Sequence, residues 1–357
     1  MIFTELDRAM MRRALELAAK GMYTATPNPR VGCVIARDGR IIGEGWHEKA
    51  GGPHAEIRAL EGIDAAGATA YVTLEPCNHQ GRTPPCVDAL LKAKVARVVA
   101  AIRDPNPEAR GGGERLAAAG VRFEGGLLED EARELNIGFI SRVTRRRPWV
   151  RMKIAATLDG RTALDDGRSQ WITGAEARRD GHRWRARACA ILTGIGTVRA
   201  DDPQLTVREV DTPRQPLRVV VDSRLEMSPT ARVLPALVFS GKPGTLAGAE
   251  VMCLPNAAGK VDLPRMLEAL AERGVNELHV EAGFRLNGSL VREGCVDEFL
   301  LYLNPSFLGD AAQGMLDLAA PAALDARLRL RLVSLDRLGD DLRLLARPAA
   351  LSAALSA

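Results

Sequence analysis

Four side chains in the first quarter of the chain have the types and spacing for metal-assisted hydrolysis. His54 and Glu56 stand in Pro53-His54-Ala55-Glu56. Cys77 and Cys86 fall in Glu75-Pro76-Cys77-Asn78-His79-Gln80-Gly81-Arg82-Thr83-Pro84-Pro85-Cys86. An imidazole and two thiolates give zinc three protein ligands, and a catalytic zinc keeps its fourth position for water. Bound zinc lowers the pKa of that water to about 7. Exchange of an amino group on a heterocycle then needs a proton carrier beside it. Glu56, two residues past the histidine, can move a proton from water to the departing ammonia.

His-x-Glu followed by Pro-Cys-x-x-Cys is the pattern of zinc deaminases. Here eight residues instead of two separate the cysteines. Two blander readings stay open. His79 could complete a four-ligand structural site, or the cysteines could be buried thiols without metal.

Local elements must aim these groups. Pro53 suits the first turn of a helix running to Leu60, and Pro84-Pro85 precedes a second helix start at Cys86. A thiol in a first helical turn lies at the positive end of the dipole, which favours thiolate. Upstream, Thr4 and Asp7 form a capping-box-like pair for a helix ending near Gly21. Asp38-Gly39 is a hairpin turn between strands at 31–36 and 40–43. Strands at 70–74, 97–102 and 121–123 alternate with helices, the last from Glu129 to about Val143. That alternation predicts a layered α/β domain.

The whole chain has 357 residues, which suits two domains. Charged residues make up 26% and the formal net charge is +4. That balance fits small anionic ligands better than a long nucleic acid, which calls for a dense basic stripe. Six cysteines do not make a disulfide framework in a chain this long. The N-terminus lacks a basic-then-apolar signal pattern, and no apolar run approaches roughly 20 residues. The cytoplasm is the expected compartment.

Arg145-Arg146-Arg147-Pro148 breaks the pattern and marks a junction, which divides the chain into domains at 1–145 and 149–347 with a fraying tail at 348–357. The second domain again alternates strands with helices. Thr173-Gly174-Ala175-Glu176 reads as a capping box for an arginine-rich helix. Glycine turns at Gly194–Gly196 and Gly283–Gly288 follow strands and precede helices, a geometry that lets backbone N–H groups approach phosphate. Neither is a full dinucleotide fingerprint, so plain tight turns remain an equal alternative. Ser223 and Arg224 could hold the extra phosphate of NADP. Arg185 and Arg208 could clamp a substrate phosphate, and Lys153 adds a titratable group. A hairpin through Gly339-Asp340 is expected near the end.

At these residues the chain resembles a known family, the bifunctional deaminase/reductases of riboflavin biosynthesis. Pro27-Asn28-Pro29-x-Val31-Gly32, His54-Ala55-Glu56 and the Cys77–Cys86 loop resemble its deaminase half. Leu158-Asp159-Gly160-Arg161-Thr162, Ser169-Gln170-Trp171-Ile172-Thr173, Asp201-Asp202-Pro203 and Val280-Glu281-Ala282-Gly283 resemble its reductase half. The long cysteine loop is part of the resemblance, which runs from about Asp7 to Leu345. Asn78 and Ala282 depart from the serine and glycine usual there; neither is a ligand.

The resemblance implies an α/β chain with a cytidine-deaminase-like three-layer domain followed by a dihydrofolate-reductase-like domain. It implies zinc on His54, Cys77 and Cys86, with Glu56 as proton carrier and Asn28 orienting a pyrimidine. Its reductase half implies NADPH contacts at Ala155, Trp171, Thr197, Asp201 and Ser223. Further contacts are implied along the turn Gly283, Phe284, Arg285, Leu286, Asn287, Gly288 and Ser289. It implies substrate contacts at Ser169, Arg185, Leu205, Arg208 and Glu281, and Lys153 is the candidate for assisting ring opening. The implied partners are small phosphorylated pyrimidines, and a homo-oligomer is expected. Two rivals stay in play. One is a deaminase of bases in RNA, which would want stacking aromatics, although aromatic residues are only 4%. The other is a second domain that binds nucleotide without catalysis.

Overall fold

The structure, a computed structural model, describes residues 3–80 and 84–349. Gly81-Arg82-Thr83 of the cysteine loop and the tail beyond Ala349, expected to fray, lie outside the described residues. The chain divides into two compact units between Arg146 and Arg147. No helix among the described residues is long and apolar enough to cross a membrane.

The first unit runs α1 (Glu5–Ala19), β1 (Gly32–Arg37), β2 (Arg40–Trp46), α2 (Ala55–Leu60), β3 (Thr69–Leu74), α3 (Cys86–Lys92) and β4 (Arg97–Ile102). It closes with α4 (Gly112–Ala118), β5 (Arg122–Gly125), α5 (Glu129–Leu135) and α6 (Ile137–Arg145). The sheet order is β2-β1-β3-β4-β5. β1 is antiparallel to β2 and β3, while β3, β4 and β5 are parallel. Thr4 and Asp7 form the capping box at α1, and the Asp7 carboxylate also accepts from Tyr71 of β3 at 2.8 Å. The turn at Asp38-Gly39 has both residues at positive φ, 50° and 77°, as a two-residue hairpin needs.

Two glycines explain how closely the layers meet. A Cβ on Gly32 would lie 2.0 Å from the Ala14 carbonyl of α1, and one on Gly45 would lie 2.4 Å from the Ala55 carbonyl of α2. Gly45 pairs with Cys33, the neighbour of Gly32, so the two glycines point to opposite faces of the pleat. Helices therefore cover both faces, making three layers. Where one helix was expected from Glu129 to Val143 there are two. Asn136 separates them with φ −110° and ψ 18°, although the backbone bonds from its N–H to Ala132 and from Ile140 to its carbonyl are kept. Its side chain ties this bend to Arg30, accepting from N–H at 2.8 Å and donating to the carbonyl at 2.9 Å.

The second unit runs β6 (Trp149–Thr157), β7 (Arg161–Ala163), α7 (Ala175–Arg187), β8 (Ala190–Gly194), α8 (Ile195–Asp201), β9 (Leu217–Val221), β10 (Ala236–Ser240), β11 (Ala249–Cys253) and α9 (Leu263–Glu272). Then come β12 (Glu277–Val280), α10 (Phe284–Arg292), β13 (Glu298–Asn304), β14 (Gln313–Gly314), β15 (Leu330–Leu338) and β16 (Asp341–Pro348). Nine strands lie in the order β11-β10-β9-β8-β12-β6-β13-β16-β15. The first seven are parallel; β16 and β15 add an antiparallel hairpin. No capping box opens α7: its N-cap is Gly174, with no side-chain cap. The Gly174 N–H donates instead to Asp341 of β16 at 2.7 Å, so a distant carboxylate replaces the expected local cap.

The two faces of this sheet differ. One carries Met152, Ile154, Leu278, Val280 and Phe299 into an apolar core shared with α9 and α10. Alternate residues of the same strands, Arg151, Lys153, Glu277, His279, Glu298 and Tyr302, share the other face. Arg151, only 1% exposed, pairs with Glu298 at 2.5 Å and Glu277 at 3.0 Å. A buried guanidinium held by two carboxylates is tolerated because each charge is hydrogen-bonded.

Candidate active sites

The first unit's site forms where α2 and α3 begin. His54 is the N-cap of α2, Glu56 lies in its first turn, and Cys86 is the first residue of α3. Cys77 arrives from the end of β3. The donor atoms of His54, Cys77 and Cys86 all lie within 4.8 Å of one another. His54 Nδ1 is 3.2 Å from Cys86 Sγ and 3.6 Å from Cys77 Sγ. The Cys86 backbone N–H donates to Cys77 Sγ at 3.3 Å. The hydrogen bond between them pulls the Cys77 thiol down and pushes Cys86 up. The three groups thus converge while sharing protons that a divalent cation would displace. Two sulfurs with one imidazole are a donor set that fits zinc. His79 lines the same cavity but is not one of the converging donors.

Glu56 is 3% exposed, and burial with the neighbouring Cys77 pushes its carboxyl up to about 6. A carboxyl near neutrality can both take and give a proton at pH 7. It faces a cavity of about 600 Å³ that also touches Asn28, His47, Asp104, Phe139 and Arg142.

Of these, His47 did not stand out in the sequence. It follows β2 directly, and nothing in its own neighbourhood suggests a role. Its Nδ1 donates to the Pro53 carbonyl at 3.0 Å, which leaves Nε2 to accept from the Asn28 side-chain amide at 3.0 Å. Burial lowers the His47 pKa, in keeping with a neutral ring. Asp104 was missed too; burial raises it to about 6. It follows the end of β4 in Asp104-Pro105-Asn106-Pro107, a stretch whose residue types suit a loop and so give its carboxylate no separate signal.

In the second unit the two glycine turns come together. β8 and β12 are neighbours, so the turns at their C-terminal ends lie side by side. A Cβ on Gly283 would be 3.6 Å from Thr197 Oγ1, and one on Gly194 would be 3.1 Å from Leu286. The ends of parallel strands are where such sheets bind ligands. Ala155 lies on β6, half-buried, and Asp201 ends α8. Phe284, Arg285 and Ser289 lie on α10 with Leu286. Asn287 is buried and donates to the Ala282 carbonyl at 3.1 Å, and Gly288 packs against Asp317 backbone. The Ser223 hydroxyl accepts from Val261 N–H at 3.1 Å. Trp171 is 70% exposed with Arg178 over its ring, and Ser169 lies in the same loop.

A cluster of charge stands beside these turns. Arg185 of α7 grips Glu281 with two bonds, 2.5 and 2.8 Å, and donates to the Thr206 carbonyl at 3.0 Å. Against the opposing effect of burial, the Arg185 guanidinium, then the His279 ring and Lys153, hold Glu281 well below the usual carboxylate range. Burial lowers the pKa of Lys153. Leu205 is buried, and Arg208 is exposed, with its backbone N–H donating to His182 at 3.2 Å. His182 and His279 were not anticipated.

Residues 148–344 match the model of the RibD C-terminal domain, and residues 4–102 match the cytidine and deoxycytidylate deaminase zinc-binding region. The riboflavin biosynthesis protein RibD of Haemophilus influenzae is 44% identical over 96% of this chain and 97% of its own. That of Escherichia coli is 46% identical over 87% and 90%. The chain belongs to the RibD family. A solved RibD structure from Acinetobacter baumannii, 42% identical, superposes with a TM-score of 0.91 over 97% of this chain and 99% of that one. RibD proteins join a zinc-binding, cytidine-deaminase-like domain to an NADPH-dependent reductase domain of dihydrofolate-reductase-like fold, so this chain is a two-activity enzyme of riboflavin biosynthesis. The RNA-editing alternative falls with that result.

Proposed function

We propose that the first unit deaminates diaminohydroxyphosphoribosylaminopyrimidine and the second reduces the ribosyl group of the resulting aminouracil phosphate to ribityl. The observation that carries this is the convergence of His54, Cys77 and Cys86 beside a buried Glu56. A zinc ion held by those three residues supplies the Lewis acidity that makes water nucleophilic near pH 7. Glu56 takes a proton from the attacking water at its carboxylate and returns it to the amino group, so water enters and ammonia leaves. His47 fixes the Asn28 amide nitrogen, and the amide oxygen is the group left to receive a pyrimidine N–H.

In the second unit, the paired turns at Thr197 and Gly283 support NADPH binding, with Ala155, Trp171, Asp201 and Ser223 around it. Arg185, Arg208, Ser169, Leu205 and Glu281 hold the phosphorylated substrate. Lys153 gives a proton to the ribose ring oxygen as the ring opens. NADPH bound at the paired turns would supply the hydride that the opened sugar carbon needs. Fixing that carbon near the hydride donor is worth several kcal/mol, up to about 7–11. The domains are assigned to 1–145 and 149–347.

The chain works in a reducing, cytoplasmic setting, in keeping with six free thiols. It acts as a homo-oligomer. Leu301 and Leu303 of β13, Leu342 and Leu344 of β16, and Leu332 and Leu335 of β15 share one sheet face by register; Leu332 and Leu335 are 52% and 55% exposed. Such a patch suits an interface.

NADPH oxidation by the full chain, started with the diamino substrate, tests both assignments. Glu56→Gln should keep zinc and abolish this oxidation, yet reduce the deaminated compound at the wild-type rate. Oxidation that persists in Glu56→Gln with the diamino substrate refutes its role.

A further inference from the structure

His279 is a buried polar group that the chemistry above does not use. It lies on β12 between β8 and β6, and its side chain has no exposure. Strand alternation puts it on the same face as Glu277 and Glu281. Its Nε2 is 3.3 Å from Glu281 Oε1, a contact that already helps hold the Glu281 carboxyl down, but it is too poorly aligned for a full hydrogen bond, and Nδ1 has no partner among the described residues. A buried donor left in this condition is costly, because its desolvation is not repaid. A leucine there would carry no such cost, so packing does not explain the imidazole.

The neighbouring pair does. In this arrangement both oxygens of Glu281 are taken by Arg185. Arg185 is also the cation placed to meet an anionic substrate. When it turns to a phosphate, Glu281, about 15% exposed, loses two bonds in a site with little water, and an unpaired carboxylate there is unfavourable. His279 is already within a small ring rotation of that carboxylate. Burial lowers its pKa, which keeps the ring neutral with one N–H to give.

We propose that His279 is a positioning residue for the reductase reaction: it holds Glu281 in place once Arg185 engages the substrate's phosphate. The proposal rests on the reading of the second unit as a reductase that binds its substrate at Arg185 and Glu281. His279 acts through Glu281 and touches neither substrate nor cofactor.

The test uses the full chain and the aminouracil ribosyl phosphate as substrate. His279→Leu should raise its KM about tenfold, with NADPH affinity and ammonia release by the first unit unchanged. His279→Gln, which keeps an N–H donor, should return KM to within about threefold of wild type. The dephosphorylated substrate, which does not draw Arg185 away, should show little difference between wild type and His279→Leu. Three results overturn the proposal: an unchanged KM in His279→Leu, a His279→Gln as impaired as His279→Leu, or NADPH affinity lost in parallel, which marks plain core packing. Reduction by wild type is measured first. Its absence would defeat the reductase reading itself, and a working wild type with unaffected variants would defeat only the role of His279.

Discussion

The two sites are built by different rules. In the first unit, His54 and Cys86 are 32 residues apart, and each stands at the start of a short helix. Local turns and prolines aim them. In the second unit, Arg185 and Glu281 are 96 residues apart; they meet because α7 packs against β12. The first site is written in adjacent stretches. The second is written in strand alternation and topology. A metal site of the first kind tolerates little change in its ligands, whereas a charge cluster of the second kind couples binding to the stability of the fold.

The largest effect that would sharpen this contrast is expected from Cys86→Ser. Loss of a ligand should empty the zinc site and reduce deamination by more than the about 10²–10⁴-fold that a proton carrier alone contributes. NADPH-dependent reduction of the deaminated compound should not change. Metal analysis and two separate assays on one preparation check this; unchanged zinc stoichiometry would remove Cys86 from the ligand set. Glu281→Ala should show the opposite pattern. It leaves Arg185 without its bidentate partner in a site where both side chains are about 15% exposed. Loss of reduction should come with a destabilisation of about 3–5 kcal/mol. Reduction lost without any change in the unfolding midpoint would break the link between charge cluster and fold.

How much was legible follows the same division. The proposed zinc ligands, Glu56 and the Asp38-Gly39 hairpin all depend on residues close in sequence, and their spacing made them candidates. His47 was invisible because its role depends on Asn28, 19 residues away, and on the Pro53 carbonyl. The bend at Asn136 was missed because the residue its side chain is tied to, Arg30, is 106 residues distant. The same holds for α7, whose expected capping box lost to Asp341, 167 residues away. In the second unit both glycine turns were found, but their adjacency needed the strand order. The alternation of Arg151 and Lys153 with Met152 and Ile154 is plain in the sequence, although without the neighbouring strands it does not tell which face is core.

A smaller effect tests whether the first site depends on anything beyond its local motifs. Gly45→Ala places a Cβ where the Ala55 carbonyl, the Ala59 nitrogen and the Arg58 Cβ would lie 2.4, 2.5 and 2.6 Å away. α2 must move, and with it His54 and Glu56. Overpacking of this kind costs about 1–3 kcal/mol, and a shift of about 1 Å can lower kcat by roughly 10²-fold. Ammonia release at the wild-type rate would show that the helix start alone, without its seat on β2, suffices.

The smallest effect concerns the second unit and acid. Burial, helped by the charges of Arg185 and Arg208, lowers His182 from 6.5 to about 4. In the unfolded chain this ring binds a proton as pH falls through about 6.5; in the folded chain it stays neutral until about 4. The unfolded state therefore gains protons first, and stability must fall as pH drops from about 6.5 to about 4, then level off. With solvent screening discounted, the loss is about 1–2 kcal/mol. His182→Gln keeps a side-chain acceptor for the Arg208 N–H and cannot titrate, so its urea midpoint should lose less over that interval than wild type. Trp149, Trp171 and Trp184 lie in the second unit, which makes tryptophan fluorescence of the full chain a suitable signal. Parallel pH curves for the two proteins would mean that His182 takes up its proton over the same pH range in the folded and unfolded chains. The two neighbouring arginines would then be a less hostile setting for a proton than their charge implies.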